Sequence, residues 1–130
     1  PPLSLSLMYV VPGSEQFQLV SCGMPSPLHM SYQAEVPRPL QSNNPRLGDA
    51  RSTQYSKMVN SWVESDILIF HTFRDEDIPS LEGTLGQAVA EFKHLNPQTQ
   101  AESLYRRLIS LSNFSPDTCP RALLIIQRIT

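Results

Sequence analysis

Five side chains able to carry charge or pass protons fall within seven positions: His71, Arg74, Asp75, Glu76 and Asp77. They follow directly on Ile67-Leu68-Ile69-Phe70, an apolar run without alternation that suits a strand buried on both faces. In sheets covered by helices, ligands gather where strands end at their carboxyl edge. His71 in that place is a candidate general base or metal ligand, with a neighbouring acid to orient it. Asp75 and Asp77 offer oxygens to a divalent ion. Neither spacing matches a defined metal motif, and acids near a helix start are favoured by the helix dipole alone. No metal and no cofactor is therefore expected.

Cys22 also lies near a predicted strand end, so a cysteine–histidine pair with His71 is conceivable. It would need the thiol acidified by an imidazolium or a helix terminus. No local signature surrounds Cys22, and packing as a small buried hydrophobe is the favoured reading. The catalytic candidates of a hydrolase-type site are thus His71, Asp75, Asp77 and Cys22. Cys119 has no partner to activate it. Ser56 and Lys57 are adjacent in a predicted helix and diverge by about a hundred degrees, which is poor geometry for a dyad. The chain contains no GxSxG, P-loop or GxGxxG motif.

A second group of candidates concerns binding: Tyr32, Arg38, Arg46 and Arg51. From Arg38 to Arg51 there are three arginines and one aspartate, whereas Glu64 to Glu82 holds six acids and one arginine. Such runs make either complementary surfaces or solvated loops. With Arg106 and Arg107 these arginines are the ones a nucleic-acid contact would use. A net charge of −2 argues against a duplex-wide phosphate footprint. The single tryptophan, Trp62, is read as a core anchor.

The elements that must position these residues are partly legible. Leu3, Leu5 and Leu7 lead into a strand through Val11, Val11-Pro12-Gly13-Ser14 turns, and Phe17–Cys22 returns, which predicts a hairpin. Leu28, Met30, Tyr32, Ala34 and Val36 alternate with polar residues, predicting a half-buried strand over 28–36. At a sheet edge it would accept a partner's strand. From Pro39 to Ser52 no period is present. Tyr55, Met58, Val59, Trp62 and Val63 fall at helical spacing, predicting a helix capped by Ser52 or Thr53. Capping boxes at Thr84 and Thr99 predict two further helices, and Ala122–Ile126 a last buried strand. The order β-β-β-α-β-α-α-β implies an α+β (mixed α/β) fold, a mixed sheet with helices on at least one face.

Composition sets the remaining bounds. The 130 residues suit one domain, 1–130, with a weak internal boundary near 39–52. The Pro1-Pro2 opening is read as that of a fragment of a larger chain. Forty per cent hydrophobic residues is a globular fraction. No spanning segment or signal peptide is visible, and two cysteines without CxxC spacing suit reduced thiols, so an intracellular location, cytoplasmic or nuclear, is expected. On these grounds the favoured function is a non-enzymatic protein-interaction or assembly module that binds a protein partner or itself. The alternative is a small hydrolase-type enzyme with its site at the end of the 66–73 strand. A second alternative is weak nucleic-acid contact through loop and helix arginines.

Overall fold

A computed structural model describes residues 3–41, 44–49, 54–113 and 121–129. Among these residues seven strands and two helices run in the order β1 (Leu5–Val10), β2 (Gln16–Cys22), β3 (Leu28–Met30), β4 (Arg38–Pro39), β5 (Met58–Ser61), β6 (Ile67–His71), α1 (Leu81–Phe92), α2 (Pro97–Leu111) and β7 (Leu123–Gln127). They form two sheets, one ordered β1-β2-β5 and the other β4-β3-β6-β7, every pairing antiparallel. The expected mixed α/β architecture is present, with two helices packed against a sheet.

Three layers result, and β6 explains why its sequence is apolar at every position. Ile67 and Ile69 join Leu28, Met30, Leu81, Leu85, Val89, Leu104 and Leu108 in a core between the four-stranded sheet and the helices. Leu68 points the other way, into a core with Phe17, Leu19, Leu40 and Trp62 between the two sheets, where Phe70 also packs. The period of two along a strand sends alternate residues to opposite faces, so a strand in the middle layer needs apolar residues throughout.

The hairpin forms as predicted: the Ser14 amide donates to the Val11 carbonyl at 3.0 Å, and Gly13 takes φ +82°. In register, Leu19 lies between Met8 and Met58, and this row, with Phe17, enters the inter-sheet core. The opposite row, with Leu7, Tyr9 and Val59, faces outward.

Three expectations are corrected. The helix over 55–63 is instead β5, whose Met58 and Val59 pair with Leu19 and Gln18 of β2. Nine residues are too few to decide between periods: Met58, Asn60 and Trp62 also alternate with Val59, Ser61 and Val63. A short isolated helix is marginal, whereas pairing with β2 satisfies the backbone at once. Its proposed caps, Ser52 and Thr53, lie outside the described residues, as do Arg51 and Cys119. The strand over 28–36 stops at Met30. The Ala34 amide turns back to the Ser31 carbonyl at 3.0 Å, and Val36 stands 68% exposed. β3 also lies between β4 and β6, so it has no free edge to offer a partner strand.

Both helices begin earlier than their capping boxes suggest. α1 starts after Ser80, itself left-handed at φ +53°, which leaves Thr84 inside the helix. α2 is capped by Asn96, whose Oδ1 accepts from the Thr99 amide at 2.9 Å, with Pro97 in the first turn. Among the described residues no helix is long and apolar enough to cross a membrane.

Candidate active-site cleft at the end of strand β6

Strand β6 delivers His71 on the same face as Ile67 and Ile69, toward the helix layer. The chain then bends through Phe73, fully buried in that layer, before reaching α1. This geometry opens a cleft of about 420 Å³ at the strand's carboxyl end. His71, Arg74, Asp75 and Glu76 line one side. The segment from Gly23 to Ser26, between β2 and β3, forms another wall, and Glu82 and Leu85 of α1 close the cleft. Gly23 is required at its position. Its φ is +67°, and a β-carbon there would overlap the Arg46 side chain.

His71 is only 6% exposed, and its Nδ1 is buried without a hydrogen-bond partner. Burial pushes its imidazole below the ordinary histidine range, and a hydrogen bond with the Phe73 backbone opposes that shift only in part. At neutral pH the ring is therefore uncharged, the form in which an imidazole can accept a proton. Such a group can take a proton from water in the cleft.

The structure separates the other catalytic candidates. Asp75 is exposed and lines the cleft beside His71. Asp77 does not line it. Its carboxylate accepts two hydrogen bonds from Arg121, at 2.7 and 2.9 Å, and a third from the Arg74 amide at 2.8 Å. The Arg121 hydrogen bonds hold the Asp77 carboxyl below the usual carboxylate range. Asp77 is thus a structural anchor that pins the loop after β6 to the approach of β7. Cys22 is buried at the end of β2, paired across from Leu5, and is not among the residues lining the cleft. No cysteine–histidine pair is formed there.

The binding candidates do not share a surface of free cations. Arg38 donates to His29 Nδ1 at 3.3 Å. Because arginine cannot accept, His29 Nε2–H donates to Asp66 Oδ2, 2.9 Å away. Asp66 also accepts from the Tyr32 and Val63 amides, so one buried carboxylate ties the turn after β3 to the turn before β6. Arg46 pairs with Asp49, and Arg107 forms a two-pronged pair with Glu91. The Tyr32 ring packs edge-on to His94, with centroids 5.8 Å apart.

No family model and no curated protein matches the chain. Solved structures do. The RsbU and RsbW domains of Rv1364c from Mycobacterium tuberculosis superpose with a TM-score of 0.73 at 18% identity, over 98% of this chain and 37% of that one. The phosphatase domain of the cell-fate determinant SpoIIE from Bacillus subtilis, presoaked with Mn, gives 0.72 at 12% identity, over 97% of this chain and 56% of that one. A second SpoIIE phosphatase-domain structure gives 0.70 at 12% identity, over 98% and 59%. The chain has the fold of this class of domain and spans between about a third and three-fifths of the chains it resembles.

That likeness overturns the favoured sequence reading. A non-enzymatic interaction or assembly module, described by protein binding and oligomerisation, does not agree with the fold of phosphatase domains. The likeness is to phosphatase domains and agrees better with the hydrolase-type alternative than with an interaction module.

Proposed function

We propose that this chain is the part of a phosphatase-type hydrolase domain that holds a phosphate-monoester cleft, with His71 as its acid–base residue. The observation carrying the proposal is the buried His71, kept neutral and with Nδ1 unpartnered, in a cleft at the carboxyl end of the central strand. The phosphatase fold supplies the substrate class. In this reading Arg74 receives the phosphoryl oxygens, since a guanidinium presents a planar fork of donors suited to them. His71 takes a proton from water as the water oxygen bonds to phosphorus. The bond from phosphorus to the ester oxygen breaks, and the same proton passes to the departing alcohol. Inorganic phosphate remains.

One of the SpoIIE phosphatase-domain structures was presoaked with manganese. Among the described residues no three His, Cys, Asp or Glu side chains converge to hold a metal ion. The buried carboxylate of Asp77 is engaged by Arg121 and the Arg74 amide. The described donor set does not fit a manganese ion.

The test is hydrolysis of p-nitrophenyl phosphate by the purified chain, measured with and without added manganese. The expected result is turnover that falls about a hundredfold in His71→Ala and shows a raised KM in Arg74→Ala. A folded chain releasing no p-nitrophenol under either condition overturns the proposal.

A further inference from the structure

Arg74 opens a turn over 74–77 whose ends are fixed by packing and whose shape is fixed by hydrogen bonds from distant residues. Phe73 and Ile78, on either side, are buried in the core beneath the helices. Between them Asp77 closes the turn. Its amide donates to the Arg74 carbonyl at 3.0 Å, and its carboxylate Oδ2 accepts from the Arg74 amide at 2.8 Å. Asp77 is held in its turn from elsewhere. The same Oδ2 accepts from Arg121 Nε at 2.7 Å, and Oδ1 accepts from a second Arg121 nitrogen at 2.9 Å. The Asn113 amide donates to the Asp77 carbonyl at 3.1 Å, and Asn113 Nδ2 to the Glu76 carbonyl at 3.1 Å. Asn113 follows α2 and Arg121 precedes β7, and neither lines the cleft.

His71 is held by other means. It pairs with Leu123 in the ladder of β6 and β7, and Thr72 carries that ladder one residue further, its amide donating to the Ala122 carbonyl at 3.1 Å. Arg74 has no such frame. Its side chain is exposed, and among the described residues no salt bridge fixes its guanidinium, so its backbone sets where it points. Resting on the hydrolase reading above, we infer that Arg121 and Asn113 are positioning residues for Arg74. Arg121 acts through the Asp77 carboxylate, and Asn113 through the Glu76 and Asp77 carbonyls. Together they hold the turn so that the Arg74 guanidinium meets the phosphoryl oxygens, and a backbone set beforehand spares the ordering cost on binding. Loosening the turn weakens that contact and leaves His71 on its strand.

Steady-state hydrolysis of p-nitrophenyl phosphate, with inorganic phosphate as competitive inhibitor, tests this on the wild-type chain, Arg121→Gln, Arg121→Lys and Asn113→Ala, each checked for folding by circular dichroism. Arg121→Gln is expected to raise KM and the phosphate Ki about tenfold with kcat within about twofold, the pattern of lost binding and intact proton transfer. Arg121→Lys keeps the charge without the fork of donors and should recover part of that loss. Asn113→Ala should raise both constants about threefold. Its side chain is exposed, so it carries the test should Arg121→Gln not fold. In an Arg74→Ala background neither change should add a further loss, because both act through Arg74. Unchanged KM and Ki in the folded variants, a kcat that falls as far as KM rises, or full additivity with Arg74→Ala overturns this inference and leaves the hydrolase reading standing. A folded wild-type chain that neither hydrolyses p-nitrophenyl phosphate nor binds phosphate ends both.

Discussion

Two titratable side chains near the end of β6 respond to pH in ways that can be separated. Burial lowers the His71 imidazole, so as pH falls below the ordinary histidine value the unfolded chain takes up a proton that the folded chain refuses. Stability is lost as pH drops from about 6.5 toward the depressed folded value. A His71→Phe variant should flatten that limb in urea denaturation measured from about pH 7 to about pH 5. Asp77 behaves as a carboxylate lowered by Arg121: its stabilisation is present above the ordinary carboxylate range and is lost as pH falls through the lower folded value. Asp77→Asn should therefore soften the acid limb below about pH 4. Asp77→Ala, which removes both hydrogen bonds from Arg121 and frees the Arg74 amide, should cost about 3 kcal/mol at neutral pH by urea denaturation.

At the scale of elements, helix α2 depends on a cap that the sequence displays only after its start is known. Asn96→Ala removes the acceptor for the Thr99 amide and should lower stability by about 1 kcal/mol in thermal or chemical denaturation. The Thr99 box was one turn too late because Asn96-Pro97 is an equally good start, and Pro at the first helical position settles the choice. Strand β6 and its terminal His71 were legible, since an uninterrupted apolar run ending in polar residues has few other readings. β5 was not, because Tyr55, Met58, Val59, Trp62 and Val63 satisfy a helical stripe and an alternating strand together. The far wall of the cleft was hidden for another reason. Gly23 to Ser26 lie some fifty residues from His71, and the Asp77–Arg121 pair spans 44 positions, so no local pattern announces either. Alternation over 28–36 puts His29 on the polar face of that segment. The Asp66 carboxylate, 37 residues away, draws it inside.

For the whole molecule the controlling contact is between layers. Leu68 is fully buried in the inter-sheet core, and its truncation to alanine should cost about 3 kcal/mol, with the loss of transfer energy and the residual cavity both contributing. Amide exchange offers the check: Leu68→Ala should speed exchange in β2 as well as β6, because the first sheet rests on the second through that core. Exchange accelerated in β6 alone would show that the sheets are held together elsewhere.

Because successive residues of β6 face different layers, the strand has two unrelated sets of neighbours. Compensation after mutation should follow odd and even positions. A damaging change at Ile67 or Ile69 should be rescued by second-site changes in the helices, around Val89, Leu104 and Leu108. One at Leu68 should be rescued from the first sheet, around Phe17 and Leu19. His71 falls in the odd series. In a library selected for hydrolysis, suppressors of cleft defects are therefore expected in α1 and α2 more often than in the hairpin of β1 and β2.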